Sequence, residues 1–177
     1  VWGDFDNDGF LDLFITNRDS KNRMFRNVDG NSQFTEVGES FGVATVADSR
    51  GVALADFDGD GGMDLFVAIQ NDPDQLFHNQ EAEGNWLTVS PIGTTSSMDA
   101  IGTRIEIIYN RIQRAIREIT GGTSFLSQDA LSASFGIGEA ETVDTLNIRW
   151  PSGVYQRLSQ EDIGVNHVLT IVEEDPL

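Results

Sequence analysis

Short apolar runs rich in β-branched and aromatic residues set the hydrophobic pattern of the first 84 residues. "DLFITN" at 12–17 and "DLFVAI" at 64–69 are such runs, and stretches of Asp, Asn, Ser and Pro follow each of them. "RMFRN" at 23–27 and "QLFHN" at 75–79 have the composition of the next strands. The pattern predicts two units, each of about four short antiparallel strands.

The second half also has the pattern of β-strands, but it lacks the Asp-rich loops of the first half. Apolar segments bounded by Gly, Ser or Pro predict strands at 86–92, 102–109, 131–138, 145–151 and 167–173. In "RIQRAIREIT", residues 111–120, four apolar residues have helical spacing, so a helix is the alternative there. The segment is short and rich in isoleucine, and we interpret it as a strand.

The first half contains an internal repeat. At an offset of 52, residues 12–27 align with 64–79, which places Phe25 on Phe77 and Asn27 on Asn79. Self-similarity of this kind is typical of repeat architectures in which each unit is one supersecondary piece. His78 aligns with Arg26, and we interpret this position as a surface site on a strand.

Each repeat begins with the pattern Asp-x-Asp-x-Asp-Gly-x-x-Asp. Four converging carboxylates form six pairs, each repelling by about 1 kcal/mol even at the dielectric of water. A hard divalent cation with six to eight oxygen ligands removes this penalty, and Ca²⁺ suits a flexible all-oxygen cage better than Mg²⁺. A glycine at the sixth position lets the next carbonyl join the cage. We predict two Ca²⁺ sites, with these ligands: Asp4, Asp6, Asp8, the Phe10 carbonyl and Asp12; Asp56, Asp58, Asp60, the Gly62 carbonyl and Asp64.

Two alternatives to this interpretation fit the sequence less well. An EF-hand shares the first three ligands and the glycine but needs a bidentate glutamate at position twelve, where this chain has Ile15 and Val67 in strand-like runs. Isolated Asp-Gly pairs are usually solvated turns. Two copies of a five-point pattern at matched positions argue against that explanation.

The loops and the strands that follow them resemble the FG-GAP or VCBS type of repeat. The resemblance rests on "WGDFDNDGFLDLFITN…RMFRN" and "ADFDGDGGMDLFVAI" and spans about residues 1–84. It implies β-propeller blades with a calcium loop between the first two strands, as in many secreted proteins. Because two blades are too few to close a propeller, we expect a partial propeller and a chain that is part of a longer protein.

The second half is similar to the ASPIC/UnbV domain, which commonly follows FG-GAP repeats. "AIGTRIEI", "GGTSFLSQ", "FGIGEAETVDTLNIRWPSG" and "NHVLTIVEE" carry the resemblance. We therefore expect an all-β chain, with FG-GAP-like blades and Ca²⁺ loops at 1–84 and a β-sandwich-like domain at 85–177. The resemblance to secreted proteins also implies an extracellular location.

Composition narrows the function classes. The chain has 29 acidic and 11 basic residues among 177, and its formal charge of −18 argues against nucleic acid and anionic membranes as partners. It lacks cysteine, so disulfides and thiolate metal sites are excluded. No apolar run approaches the roughly 20 residues of a membrane helix.

No catalytic constellation is visible in the sequence. Gly-x-Ser-x-Gly, His-Glu-x-x-His and phosphate-binding glycine loops are absent, and the histidines are His78 and His167. Full oxygen cages leave no open metal position for chemistry. We expect no catalytic residues and no enzyme activity.

Two function hypotheses remain, and a third, an accessory domain of a secreted enzyme, has less support. The first is a calcium-stabilised extracellular module for recognition of, or adhesion to, a protein or glycan. The second is a structural subunit that assembles into an oligomer or filament through exposed blade edges. The sequence does not name the partner.

Overall fold

A computed structural model describes residues 1–31, 33–80 and 82–175. Fourteen β-strands and one 3-10 turn, Gln160–Asp162, make up its regular structure, so the prediction of an all-β chain is confirmed. No helix in this described part is long and apolar enough to cross a membrane. The strands are β1 Trp2–Gly3, β2 Asp12–Ile15, β3 Arg23–Asn27, β4 Phe34–Glu36, β5 Ser49–Ala55, β6 Asp64–Ile69, β7 Gln75–Phe77, β8 Asn85–Ile92, β9 Arg104–Tyr109, β10 Gln113–Glu118, β11 Ala133–Gly138, β12 Val143–Arg149, β13 Tyr155–Ser159 and β14 His167–Val172.

By its internal contacts the chain divides into two compact units. The first unit comprises residues 1–6, 10–82 and 122–130, and the second comprises residues 7–9, 83–121 and 131–177. The segment 122–130 therefore belongs to the first unit, although the sequence places it inside the second half. Backbone hydrogen bonding explains this, because Leu54 N–H donates to Asp129 Oδ1 (2.8 Å) and Ala130 N–H donates to the Leu54 carbonyl (2.9 Å).

Two small antiparallel sheets form the first unit. Their strand orders are β1-β2-β3-β4 and β5-β6-β7. The expected four strands are present in the first sheet, but the described part of the second sheet has three, because the strand after β7 pairs in another sheet. Alternating apolar residues of β2, β5 and β6 point into one core that contains Phe14, Val52, Leu65 and Val67.

The second unit has two sheets on one hydrophobic core. Their orders are β10-β9-β12-β13 and β11-β8-β14, and β14 pairs in parallel with β8. Both sheets contribute to the same cluster, with Leu87 and Phe135 from one and Ile107 and Ile148 from the other. The interpretation of residues 111–120 as a strand is confirmed by β10. β13 was not predicted, since "YQRLS" has only one aliphatic residue.

Candidate metal sites

Two aspartate loops, residues 4–12 and 56–64, lead from β1 into β2 and from β5 into β6. Their backbones follow the same path, because both have left-handed residues at the fourth and sixth positions. In the first loop these are Asn7 (φ 57°) and Gly9 (φ 96°), and in the second they are Gly59 (φ 79°) and Gly61 (φ 92°). Glycine accepts such φ values without a steric penalty, and asparagine tolerates them. The matched dihedrals support the structural equivalence of the two loops.

The aspartate at the ninth position closes each loop through backbone hydrogen bonds. Asp12 accepts one from Phe5 N–H (3.0 Å) and one from Asn27 N–H (2.8 Å).

Asp64 has the same arrangement, accepting from Phe57 N–H (3.0 Å) and Asn79 N–H (2.8 Å). Both aspartates are buried. Because a carboxylate offers about four lone-pair sites, the two hydrogen bonds leave acceptor capacity for a cation.

The remaining aspartates gather into clusters. One oxygen from each of Asp4, Asp6 and Asp8 lies within 4.8 Å of the others, and the same holds for Asp56, Asp58 and Asp64. Since Ca²⁺ binds oxygens at about 2.3–2.6 Å, two ligands of one ion lie at most about 5 Å apart. The donor sets therefore fit a hard cation in both loops.

Hydrogen bonds from the loop backbone orient the carboxylates of the second loop. Asp56 accepts from Gly59 N–H (2.8 Å) and Gly61 N–H (3.0 Å), and Asp60 accepts from Gly62 N–H (2.8 Å). Burial nevertheless raises the pKa of Asp56, with the Asp60 charge adding to the increase. A group whose charged form is disfavoured in this way gains from a bound cation.

The structure brings most, but not all, of the predicted aspartate ligands together in clusters. Six of the eight predicted aspartates fall in the two three-carboxylate clusters. Asp60 groups with Asp58 and His78 instead, and Asp12 lies outside the clusters found among the described residues. Asp12 remains a predicted ligand.

The carbonyl ligands Phe10 and Gly62 also remain predictions. A side chain at position 62 would not fit, because a Cβ there would lie 2.7 Å from the Asn79 carbonyl oxygen and 3.1 Å from Asp60 Oδ1. The glycine is therefore needed for the close approach of the loop to the backbone at Asn79, just after β7.

Sequence reasoning missed a basic side chain at each loop. Arg26 on β3 forms an ion pair with Asp6. His78, just after β7, has Nε2 2.7 Å from Asp58 Oδ2 and 4.0 Å from Asp60 Oδ2. The alignment of Arg26 with His78 was the available signal, since both follow a loop that concentrates negative charge. The interpretation of this position as a surface site is confirmed, because both residues are exposed, and their side chains also face the acidic loops.

Each half of the chain matches the model of a known protein family. Residues 4–67 match the model of the FG-GAP-like repeat, and residues 93–176 match the model named ASPIC and UnbV.

Cartilage acidic protein 1 of mouse is 30% identical over 191 residues, which cover 100% of this chain and 29% of the relative. The Xenopus tropicalis protein of the same name is 33% identical over 183 residues, covering 97% of this chain and 28% of the relative. The human one is 29% identical over 191 residues. The chain spans less than a third of the length of these relatives. The chain thus contains a match to the FG-GAP-like repeat followed by a match to the ASPIC and UnbV domain.

Proposed function

We propose that this chain is a non-catalytic, calcium-stabilised extracellular module that recognises a protein or a glycan. The observation that carries the proposal is the pair of equivalent loops, each with three carboxylates whose oxygens lie within 4.8 Å of one another. In this proposal the two small sheets are propeller blades of the FG-GAP type, and Ca²⁺ holds the loops that open them.

Charge supports a stabilising role for the ion. Residues 1–84 contain 17 acidic and 5 basic residues, so this half has a net charge of −12 before any cation binds. Two bound Ca²⁺ ions would bring the whole chain from −18 to about −14 and would remove the repulsion within the loops. Extracellular calcium modules typically have Kd values of about 10⁻⁴ to 10⁻³ M, which matches external calcium.

An extracellular location agrees with the relatives, which are named for cartilage. Since the chain carries no cysteine, disulfides cannot stabilise it, and outside the cell another device would have to supply that stability. Metal binding is one of the usual devices in small extracellular domains, because it supplies stability that a limited core does not.

Thermal unfolding of the full chain in Ca²⁺ and in EGTA tests the proposal. We expect a higher melting temperature in Ca²⁺, with a transition that depends on Ca²⁺ concentration, and two equivalents of Ca²⁺ by titration calorimetry. Mg²⁺ at equal concentration should stabilise less, since it keeps its own waters. Identical melting in Ca²⁺ and EGTA would refute the calcium assignment.

A self-assembling structural subunit is the second candidate, and the edge strands favour it. β4 is at the edge of its sheet, and Phe34, Thr35 and Glu36 are all exposed. Open edges with an exposed aromatic residue are templates for pairing with another chain. Light scattering in Ca²⁺ separates the candidates: a monodisperse monomer supports the recognition module, and an ordered polymer supports the subunit.

A further inference from the structure

The outward face of the sheet β10-β9-β12-β13 collects positive charge in a strongly acidic chain. Alternation of exposure along the strands assigns the inner residues to the core and the outer ones to this face. Four of the six arginines of residues 85–177 are on it: Arg104, Arg114, Arg149 and Arg157. The face is therefore basic although the half that contains it has 12 acidic residues.

Two of these arginines, Arg104 and Arg149, are directly opposite each other on neighbouring antiparallel strands. Like charges directly opposite each other in this register destabilise a sheet. Within the described residues neither guanidinium has a carboxylate within 4.0 Å, and this includes Glu118, which is opposite Arg104 on β10. The described part of this acidic chain thus leaves two adjacent arginines without a carboxylate counter-ion.

A hydrogen-bonded network crosses all four strands beside this pair. Tyr155 Oη donates to Asn147 Oδ1 (2.9 Å), Asn147 Nδ2 donates to Glu106 Oε2 (2.8 Å), and Arg114 donates to Glu106 Oε1 (3.5 Å). The network links these side chains to one another in one arrangement. Such preorganisation lowers the entropy cost of binding a polar ligand.

The arginine pair and the network line one open pocket. Its walls are Arg104, Glu106, Asn147, Arg149 and Tyr155, and the tyrosine remains about half exposed at 56%. Tyr155 is opposite Arg149 in the sheet, so an aromatic ring borders the positive pair.

We infer that this pocket, which we call the arginine pocket, binds an acidic saccharide through a carboxylate or a sulfate group. Paired guanidinium groups match the planar or tetrahedral oxyanion with multiple charge-assisted hydrogen bonds. The exposed face of Tyr155 offers an apolar surface to a sugar ring, and Asn147 and Glu106 offer hydrogen bonds to hydroxyl groups. A saccharide fits better than an acidic peptide, because the ring of Tyr155 and the polar groups of Asn147 and Glu106 match a sugar ring that carries several hydroxyl groups. This inference rests on the recognition function proposed above and gives it a ligand class.

Titration calorimetry of the full chain in Ca²⁺ tests the arginine pocket. The probes are tetragalacturonate, which carries carboxylates, and sucrose octasulfate, which carries sulfates; maltotetraose is the neutral comparison and tetraglutamate the peptide comparison. We expect binding of at least one acidic saccharide and none of maltotetraose. Arg149→Gln should weaken that binding about tenfold, and Arg104→Gln with Arg149→Gln about a hundredfold, because each charge-assisted contact contributes about 1.4 kcal/mol or more.

Arg111→Gln is the matched control. Arg111 is an exposed arginine in the β9–β10 turn, and it is not among the residues that line the arginine pocket. Its binding should equal that of the unsubstituted chain. The arginine pocket is overturned if neither acidic saccharide binds, if the double variant binds as tightly as Arg111→Gln, or if tetraglutamate binds as well as the saccharides. Repeating the titration in EGTA separates the two proposals: saccharide binding that persists without a calcium-dependent melting temperature supports the pocket and refutes the calcium function.

Discussion

The aspartate loops and the buried Glu173 differ in how the negative charge of their carboxylates is compensated. In each loop three carboxylates face one another within 4.8 Å. Glu173, just after β14, is alone and almost fully buried, with 3% exposure. Its carboxylate accepts hydrogen bonds from the backbone N–H groups of Thr94 (2.9 Å), Thr95 (3.0 Å) and Ser96 (2.7 Å).

Two hydroxyl groups complete the shell of Glu173, from Ser96 (2.9 Å) and Ser152. Burial opposes ionisation of Glu173, but the hydrogen bonds outweigh it and lower the pKa of Glu173 to about 2. Hydrogen bonds alone therefore compensate this single carboxylate, whereas each loop gathers three carboxylates beside its hydrogen bonds and its basic neighbour, and the proposed cation would balance them. The first arrangement predicts stability that does not depend on calcium, and the second predicts stability that does.

Removal of the Glu173 carboxylate is expected to have the largest effect. In Glu173→Ala the N–H groups of Thr94, Thr95 and Ser96 lose a charged acceptor, and each hydrogen bond to a charged group contributes about 1.5–3 kcal/mol. We expect the free energy of unfolding of the second unit to fall by about 3 kcal/mol or more, equally in Ca²⁺ and EGTA, as measured by urea unfolding. The control Glu174→Ala, at an exposed neighbour, should change it little. A loss that disappears in Ca²⁺ would contradict the comparison.

The pH dependence of stability provides a second test of the contribution of Glu173. The pKa of Glu173 falls from 4.5 to about 2 on folding, so its contribution is complete above about pH 4.5 and is lost as the pH falls towards 2. We expect the stability of the unsubstituted chain in EGTA to decrease over this window by more than that of Glu173→Gln. The measurement is urea unfolding at several pH values. If the free energy of unfolding changes equally with pH in the two chains, Glu173 is not the source of the acid sensitivity.

Calcium binding to the second loop is the next effect in size. Asp58→Ala with Asp60→Ala should abolish one of two Ca²⁺ equivalents in calorimetry and leave the other. At a Ca²⁺ concentration ten times Kd, each site contributes about 1.4 kcal/mol, so the stabilisation by Ca²⁺ should fall by about half. Asp19→Ala with Asp72→Ala, exposed aspartates outside both loops, is the control. Retention of two equivalents in the loop variant would refute the ligand set.

The smallest expected effect comes from the basic residue beside each loop. Arginine carries a permanent positive charge on a longer side chain. His78→Arg should weaken Ca²⁺ binding to the second loop about fivefold, since a fixed positive charge near the ion costs about 1 kcal/mol. His167→Arg, at the start of β14, should leave both affinities unchanged. An unaltered affinity in His78→Arg would show that this position does not influence the site.

Local patterns allowed most of the strands to be predicted, because alternation and turn residues act over a few positions. The repeat placed both loops and their aspartates, and the left-handed Gly9 and Gly61 occupy the expected sixth positions. β13 was missed because Gln156 and Arg157 interrupt its apolar pattern, although the Gln156 side chain is buried and receives a hydrogen bond from the Trp150 indole.

Contacts between residues distant in the sequence could not be predicted. The donors to Glu173 come from residues 94–96 and 152, more than 20 positions away in every case. The segment 122–130 joins the first unit through contacts with β5, including Ser127 Oγ donating to the Val52 carbonyl (2.7 Å). No local pattern carries this information.

The sequence by itself determined the β class, the repeat and the two acidic loops, because these follow from short-range periodicity and from the spacing of like charges. The tertiary structure decided which carboxylates share a cluster, which basic side chain faces each loop, and which arginines are left together on a sheet face. Strand pairing and register bring these groups together, and register depends on the core as a whole. Clusters of charged residues that are neighbours in the sequence could therefore be predicted. Clusters whose members meet only in the folded chain could not.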